Sequence, residues 1–220
     1  MKRFASIAAV CLVAVIGVGA ASAQAQTAAG TDSKMYAEFN AGPTLGHKSS
    51  GFFGGEFGYR LMEGLDVFVE ASHMNNVGTS HLDELAAPIA AYLGGTASTG
   101  YRVNMGAAGL RYSVVATPMI HPYVLAGVGF AHVATEVEFA VNGTVIDPAT
   151  KGVQLGGDLS GTHNKTILTF GFGIHVPFKS RYFGDLGYRY GHILADTEGV
   201  AENDQSIPTQ RIILGAGIRF

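Results

Sequence analysis

The sequence is poor in cysteine, tryptophan and basic residues. It has one cysteine, Cys11, and no tryptophan. Cys11 lies in an apolar N-terminal run that we interpret as a cleaved signal, so we expect no disulfide and no thiol chemistry in the mature chain. Seventeen acidic residues outnumber 14 basic ones. This charge balance argues against a basic nucleic-acid-binding surface.

Long hydrophobic runs are also scarce beyond the N-terminus. Hydrophobic residues make up 47% of the chain, yet after residue 25 none of its apolar runs approaches the roughly 20 residues that a membrane helix needs. The apolar residues are instead spread by alternation along the chain. With 31 glycines, 13 phenylalanines and 9 tyrosines, the composition favours many strands with close backbone approaches.

The N-terminal residues indicate export. Lys2 and Arg3 precede an apolar run over residues 5–21, and small residues follow it, which predicts a signal peptide over 1–25 with cleavage after Ala23 or Ala25. A single membrane helix is the weaker interpretation because the run is short and leads directly into the cleavage pattern. We expect a lead-in at 26–34 and one domain over 35–220.

The last stretch, residues 207–220, shows the most informative alternation. One face is almost wholly apolar and ends in Ile218 and Phe220, whereas the other face carries Arg211 and Arg219. A soluble core would not accept those arginines without partners, so the pattern suggests an apolar exterior and a polar interior. The ending resembles the C-terminal assembly signal of bacterial outer-membrane barrels, which would be carried here by Ile218 and Phe220.

Alternation with a period of two predicts an all-β fold of eight strands, at 35–43, 51–61, 65–74, 101–115, 123–140, 166–176, 182–194 and 207–220. Connections after odd-numbered strands are long and those after even-numbered strands short, which predicts an antiparallel up-and-down transmembrane β-barrel.

We expect the segment 75–100 to be irregular, with a short helix at 82–93 interrupted at Pro88. Asn142-Gly143 predicts a hairpin turn. A soluble lipocalin-like barrel is the alternative fold.

Five segments resemble the opacity-type and outer membrane protein A type family of small β-barrels: GFFGGEFGYRL, PYVLAGVGFAHV, LTFGFGI, DLGYRYG and GAGIRF. The resemblance implies a monomer in the bacterial outer membrane, delivered by the barrel assembly machinery and surrounded by lipid and lipopolysaccharide. It implies a structural role, with adhesion or surface recognition of host or environmental ligands through extracellular loops 75–100 and 140–163. Passage of small apolar molecules through a channel or carrier is the alternative, and a lipid A modifying enzyme is less favoured.

The inward faces of such a barrel would carry a charge network, for which the candidates are Glu38, Glu56, Arg60, Glu70, Arg111, Asp185, Arg189 and Arg211. An eight-stranded barrel is only wide enough for side chains, so we expect these groups to form a plug of salt bridges. A catalytic or conducting cluster is the alternative.

Histidines and tyrosines give weaker signals. His73 and Asn76 fit the pattern of lipid A deacylases, but position 75 is asparagine where that pattern needs the serine nucleophile, so we expect no enzymatic activity. Other histidines, including His175, show no metal-ligand spacing and are expected in loops or at the rim, with no metal or cofactor. Tyrosines near strand ends, among them Tyr36, are expected in the interfacial aromatic girdles.

Overall fold

A computed structural model of the protein describes residues 33–155, 159, 161–178, 181–195 and 206–220. The predicted signal peptide and nearly all of the lead-in lie outside these residues. Within them, alternating side chains build long strands, and no helix is long and apolar enough to span a membrane.

The strands are β1 (Met35–Leu45), β2 (Ser50–Met62), β3 (Leu65–Met74), β4 (Thr96–Ser113), β5 (His121–Val141), β6 (Thr144–Ile146), β7 (Gly161–Pro177), β8 (Tyr182–Ile193) and β9 (Ile207–Arg219). One α-helix, α1, covers Ser80–Leu93, and a 3-10 helix covers Pro148–Lys151.

Eight of these strands close into a barrel, and every neighbouring pair is antiparallel. The order is β4-β3-β2-β1-β9-β8-β7-β5, with β5 pairing back to β4. Among the described strands, the remaining one, β6, pairs only with the distal end of β5. At the seam, the Phe220 and Met35 backbones exchange two hydrogen bonds of 2.9 and 3.1 Å. The predicted eight-stranded up-and-down barrel is confirmed.

The strand register defines the tilt of the barrel. Following paired residues once around the barrel from Asn164 on β7 returns to β7 at Ile174, ten residues further along. This offset is the shear of the barrel. For eight strands it corresponds to a strand tilt of roughly 40°, which is typical of transmembrane barrels.

The two ends of the barrel differ. At one end, which we call the short-turn end, β2 and β3 are joined by a tight turn in which Gly64 has φ +77°. At the other end, the long-loop end, β4 and β5 extend together up to the pair Thr96 and Ala140. Asn142 and Gly143 have φ values of 52° and 78° and join β5 to β6, so the predicted hairpin turn is confirmed.

The segment 75–100 is more ordered than the sequence predicts. Helix α1 begins after Thr79, whose side-chain oxygen accepts a hydrogen bond from the Leu82 backbone, and runs without a break through Pro88. Gly94 ends the helix with φ +69°. Strand β4 starts at Thr96 rather than at residue 101, because pairing with the long β5 extends it. Tertiary packing on this hairpin outweighs the helix-breaking tendency of proline.

The barrel interior has two layers. Toward the short-turn end it holds charged residues, and toward the long-loop end it holds an apolar cluster that includes Phe52, Met74, Val103, Ile167 and Ile193. The outward faces are apolar, with large exposed side chains such as Phe39, Val69 and Phe130.

Candidate functional site

Five buried charged residues form a connected network across the interior. Glu56, Glu70, Arg111, Arg189 and Arg211 lie on β2, β3, β4, β8 and β9, respectively, and each is at most 3% exposed. The alternation of each strand points these side chains inward, because residues with the same parity share one face of a sheet.

Arg189 lies at the centre of the network. Its guanidinium donates to Glu56 Oε2 at 2.6 Å and also to Glu70 Oε2. Arg211 Nη1 donates to Glu70 Oε1 at 2.5 Å and to Ser72 Oγ at 3.0 Å. Arg189 and Glu56 come from strands that are not neighbours in the sheet. These bonds therefore cross the interior and tie opposite walls together.

Arg111 extends the network to aromatic residues. Its Nη2 lies 2.6 Å from Glu56 Oε1, which also accepts a 2.5 Å hydrogen bond from the Tyr36 hydroxyl. Its Nη1 donates to His175 Nε2 at 2.9 Å. The guanidinium lies 4.4 Å from the centre of the Tyr123 ring. Such a contact adds cation–π stabilisation where water is excluded.

Glu38 and Asp185 lie on the His175 side of this network. Both carboxylates are 3.9 Å from His175 Nε2, and Asp185 accepts hydrogen bonds of 2.9 Å from the Tyr123 hydroxyl. The three residues bring potential ligand atoms within 4.8 Å of one another. However, Arg111 already donates to His175 Nε2, so a cation there would face a guanidinium. The arrangement suits hydrogen bonding better than metal coordination.

The structure thus brings together seven of the eight predicted network residues and leaves out Arg60. Arg60 lies near the short-turn end of β2, is 44% exposed, and faces Asp66 at 3.5 Å. The register of β2 and β3 shifts between Arg60 and Met62. Because the strand leaves the interior there, Arg60 forms a rim contact.

Three interior residues escaped the sequence prediction. Tyr36 was expected in an interfacial girdle and His175 at a rim or in a loop, but both are buried against Arg111. Tyr123 was not assigned to the interior site. The alternation of the strands could have placed two of them in the interior. Tyr36 shares a face with Glu38 and Asn40, and His175 shares one with Thr169.

An apolar layer lies above the charged layer. Its side chains include Met74, Val103, Ile167 and Ile193, all of them 0% exposed. Aliphatic groups packed to this degree exclude water. The interior is therefore rich in charged groups toward the short-turn end and in apolar groups toward the long-loop end, where Lys165, Thr44 and Thr209 are also buried.

A second polar cluster fastens α1 at the long-loop end. Lys48 Nζ donates to Asp83 Oδ1 at 2.8 Å, and His47 Nε2 lies 2.8 Å from Asp83 Oδ2. Thr99 also donates to Asp83. The hydrogen bond from Lys48, followed by those from Thr99 and His47, holds the pKa of the Asp83 carboxyl well below its usual range. Lys48, Asp83 and Thr99 line one end of a groove of about 490 Å³ between α1 and β4.

Helix α1 also packs on the projecting hairpin through apolar residues. Leu82, Ala86 and Ala90 form a buried cluster with Phe139 on β5 and with Leu159. Tyr92, on the same helix, is 76% exposed. The helix and hairpin thus form an ordered lobe, which we call the α1 lobe, with a surface facing away from the barrel.

His73 lies on the outward face near the long-loop end. Its Nδ1 is 2.7 Å from Asn104 Oδ1, and its Nε2 is 3.1 Å from Asn75 Oδ1. Its ring is 5.3 Å from that of Phe53. Both ring nitrogens are thus engaged by amide side chains.

The two predicted assembly-signal residues lie beside the seam. Ile218 pairs with Ala37 on β1 and with Tyr182 on β8. The Phe220 side chain is 48% exposed, and its ring lies 6.2 Å from that of Phe57. Both therefore belong to the apolar outer surface at the short-turn end.

A closed barrel with apolar outward faces and interior ion pairs defines an integral membrane β-barrel. Residues 11–220 match the sequence profile of the Outer membrane protein beta-barrel domain. The chain belongs to this family, which places it in the bacterial outer membrane. The long-loop end is accordingly extracellular and the short-turn end periplasmic.

Solved structures of outer-membrane proteins are similar to the chain at low sequence identity. Neisserial surface protein A is 15% identical, with a TM-score of 0.51, over 84% of this chain and 97% of that one. The N-terminal β-barrel domain of Pseudomonas aeruginosa OprF is 16% identical, with a TM-score of 0.48, over 84% and 97%. OprG from Pseudomonas aeruginosa is 10% identical, with a TM-score of 0.49, over 87% and 98%. No curated protein matches the chain.

Proposed function

We propose that the protein is a closed structural scaffold of the outer membrane that presents the α1 lobe for adhesion or surface recognition. The observation that carries this proposal is the filled interior below an ordered extracellular lobe. Surface segments held by a rigid scaffold are where such folds place binding functions. The loops are the part of the molecule available to host or environmental ligands.

The α1 lobe is built to hold one shape. The apolar contact of Leu82, Ala86 and Ala90 with Phe139 anchors the inner face of the helix, and the Asp83 cluster ties its first turn to Lys48 and Thr99. A pre-organised surface loses less conformational entropy when it binds a partner. This supports recognition by a defined surface.

The same geometry supports a non-catalytic role. His73 is engaged by two asparagines, and position 75 offers an amide where a hydrolase of the deacylase type would need a hydroxyl nucleophile. We infer that His73 contributes to the outer surface and carries out no acyl transfer. Insertion by the barrel assembly machinery, with Ile218 and Phe220 as its signal, belongs to the same proposal.

An adhesion assay tests the proposal. Residues 80–93 would be replaced by a short glycine-serine linker, and cells displaying either protein would be measured for attachment to immobilised heparin, fibronectin and collagen. We expect attachment to at least one surface that the replacement abolishes. A matched control, Phe178→Leu, alters an exposed residue at the periplasmic end and should change nothing. Equal attachment with and without α1 would contradict the proposal.

Passage of small apolar molecules is the second candidate function. The apolar extracellular half of the interior favours it, because residues such as Val103 and Ile193 offer a compatible lining. The charged layer below opposes it, since an apolar molecule would have to displace interlocked ion pairs. We therefore place this function second.

A further inference from the structure

A belt of polar side chains surrounds part of the outer surface at its extracellular edge. On five successive strands the outward-facing residues change there from mainly apolar to imidazole or amide groups. We call these residues the His/Asn belt: His73 on β3, Asn104 on β4, His132 on β5, Asn164 on β7 and His192 on β8.

The register makes the belt continuous. His73 is paired with Asn104, Asn104 with His132, and His132 with Asn164. Because the strands are tilted, each residue in this order lies about 3 Å closer to the extracellular side than the one before it, measured along the membrane normal. His192 is paired with Leu168, four residues below Asn164 on β7, which returns it to about the level of Asn104. The belt is thus a band about 9 Å deep.

The belt begins where the apolar surface ends. Phe53 is paired with His73 on the neighbouring strand and is 52% exposed, and Phe130, two residues below His132, is 74% exposed. Aromatic residues at this position mark the boundary between hydrocarbon and headgroups. The belt therefore lies in the headgroup layer of the outer leaflet.

Two repeated hydrogen bonds orient the belt. His73 Nδ1 lies 2.7 Å from Asn104 Oδ1, and His132 Nδ1 lies 2.8 Å from Asn164 Oδ1. An amide oxygen can only accept, so the ring N–H donates in both pairs. Each amide oxygen is used within its pair, and because Asn104 and Asn164 are exposed, their amide N–H donors are accessible from the surroundings.

Donors in this layer suit an acceptor-rich headgroup. Phosphate groups and sugar hydroxyls accept several hydrogen bonds at once, and phosphate adds negative charge. Arg102, two residues above Asn104 on the same face and 51% exposed, adds a guanidinium to the surface, where it pairs with Glu136 at 2.8 Å. A choline headgroup would bring a cation and fewer acceptors. We propose that the His/Asn belt binds the phosphorylated sugar headgroup of outer-leaflet lipopolysaccharide.

The proposal is tested by lipid binding with the full chain in a non-ionic detergent. The probes are bis-phosphorylated lipid A, the same lipid after removal of both phosphates, phosphatidylcholine, and inorganic phosphate as a competitor. The belt variant is His73→Leu/His132→Leu, and His73→Gln/His132→Gln keeps an amide donor at each place. The matched control is Phe130→Leu/Phe170→Leu, which changes exposed outward residues below the belt on β5 and β7. Heat-modifiable gel migration confirms that each variant is folded.

We expect wild type to bind phosphorylated lipid A more tightly than the other lipids. The leucine variant should bind it about tenfold more weakly, which corresponds to the loss of one charge-assisted hydrogen bond. The glutamine variant should recover much of the difference, and the phenylalanine control should match wild type. Equal binding by wild type and the folded leucine variant would overturn the proposal. So would equal binding of lipid A with and without phosphates, or complete competition by millimolar inorganic phosphate. None of these results depends on loop adhesion.

Discussion

Replacing Glu70 with alanine is expected to destabilise the barrel by about 3–5 kcal/mol, the usual cost of leaving a buried charge without its partner. Glu70 accepts hydrogen bonds from both Arg189 and Arg211. After the substitution Arg189 keeps Glu56 at 2.6 Å, whereas Arg211 keeps one side-chain hydrogen bond among the described residues, to the Ser72 hydroxyl at 3.0 Å. Most of the destabilisation therefore comes from Arg211, which is 0% exposed.

The assay is urea unfolding of the protein reconstituted in lipid vesicles. Heat-modifiable gel migration reports the folded fraction, which avoids tryptophan fluorescence in a chain without tryptophan. The control Glu138→Ala changes an exposed residue of the projecting hairpin and should stay within about 0.5 kcal/mol of wild type.

A double-mutant cycle identifies the cause. If the unpaired Arg211 charge causes most of the destabilisation, the double variant Glu70→Ala/Arg211→Met should be more stable than the sum of the two single effects predicts. The expected coupling free energy is about 1–3 kcal/mol. If Glu70→Ala lowers the free energy of unfolding by less than about 1 kcal/mol, or if the effects in the cycle are additive, the argument that this ion network holds the interior together is refuted.

Two further predictions concern the loops and the strand packing. Because Lys48, Thr99 and His47 depress the folded-state pKa of Asp83, its stabilisation is present above pH about 4 and is lost as the pH falls through the folded pKa. The difference in α1 amide exchange between wild type and Asp83→Asn should therefore shrink in acid. Gly129→Ala should destabilise by about 1–3 kcal/mol, since its Cβ would lie 1.9 Å from the Gly106 oxygen. Gly106→Ala, with 3.9 Å of clearance, should be tolerated in the same urea assay.

Much of the fold could be predicted from alternation. The bounds of β3 matched the prediction at both ends, and Glu38, Glu56 and Glu70 all lie on the buried face that the period of two assigned to them. Alternation works here because the two faces of each strand meet opposite environments, lipid and interior.

The pairing inside the barrel could not be predicted in the same way. Alternation tells which face a residue occupies, but not its height or its partner across the interior. The contact of Arg189 with Glu56 depends on the shear of the closed barrel. The apolar layer around Ile167 and Ile193 escaped prediction for the same reason. Helix α1 passes Pro88 because packing against Phe139 supports it, which is a tertiary effect.

Single-channel recording in planar bilayers tests the central claim, that the interior is closed, most directly. The wild-type protein should insert without stable conductance steps, because interlocked ion pairs and a fully buried apolar layer fill its interior. Removing two network side chains and two apolar ones, as in Arg189→Ala/Arg211→Ala/Val103→Ala/Ile193→Ala, should produce openings if the variant folds. Stable, reproducible openings of the wild-type protein would contradict the closed-scaffold account and favour the channel.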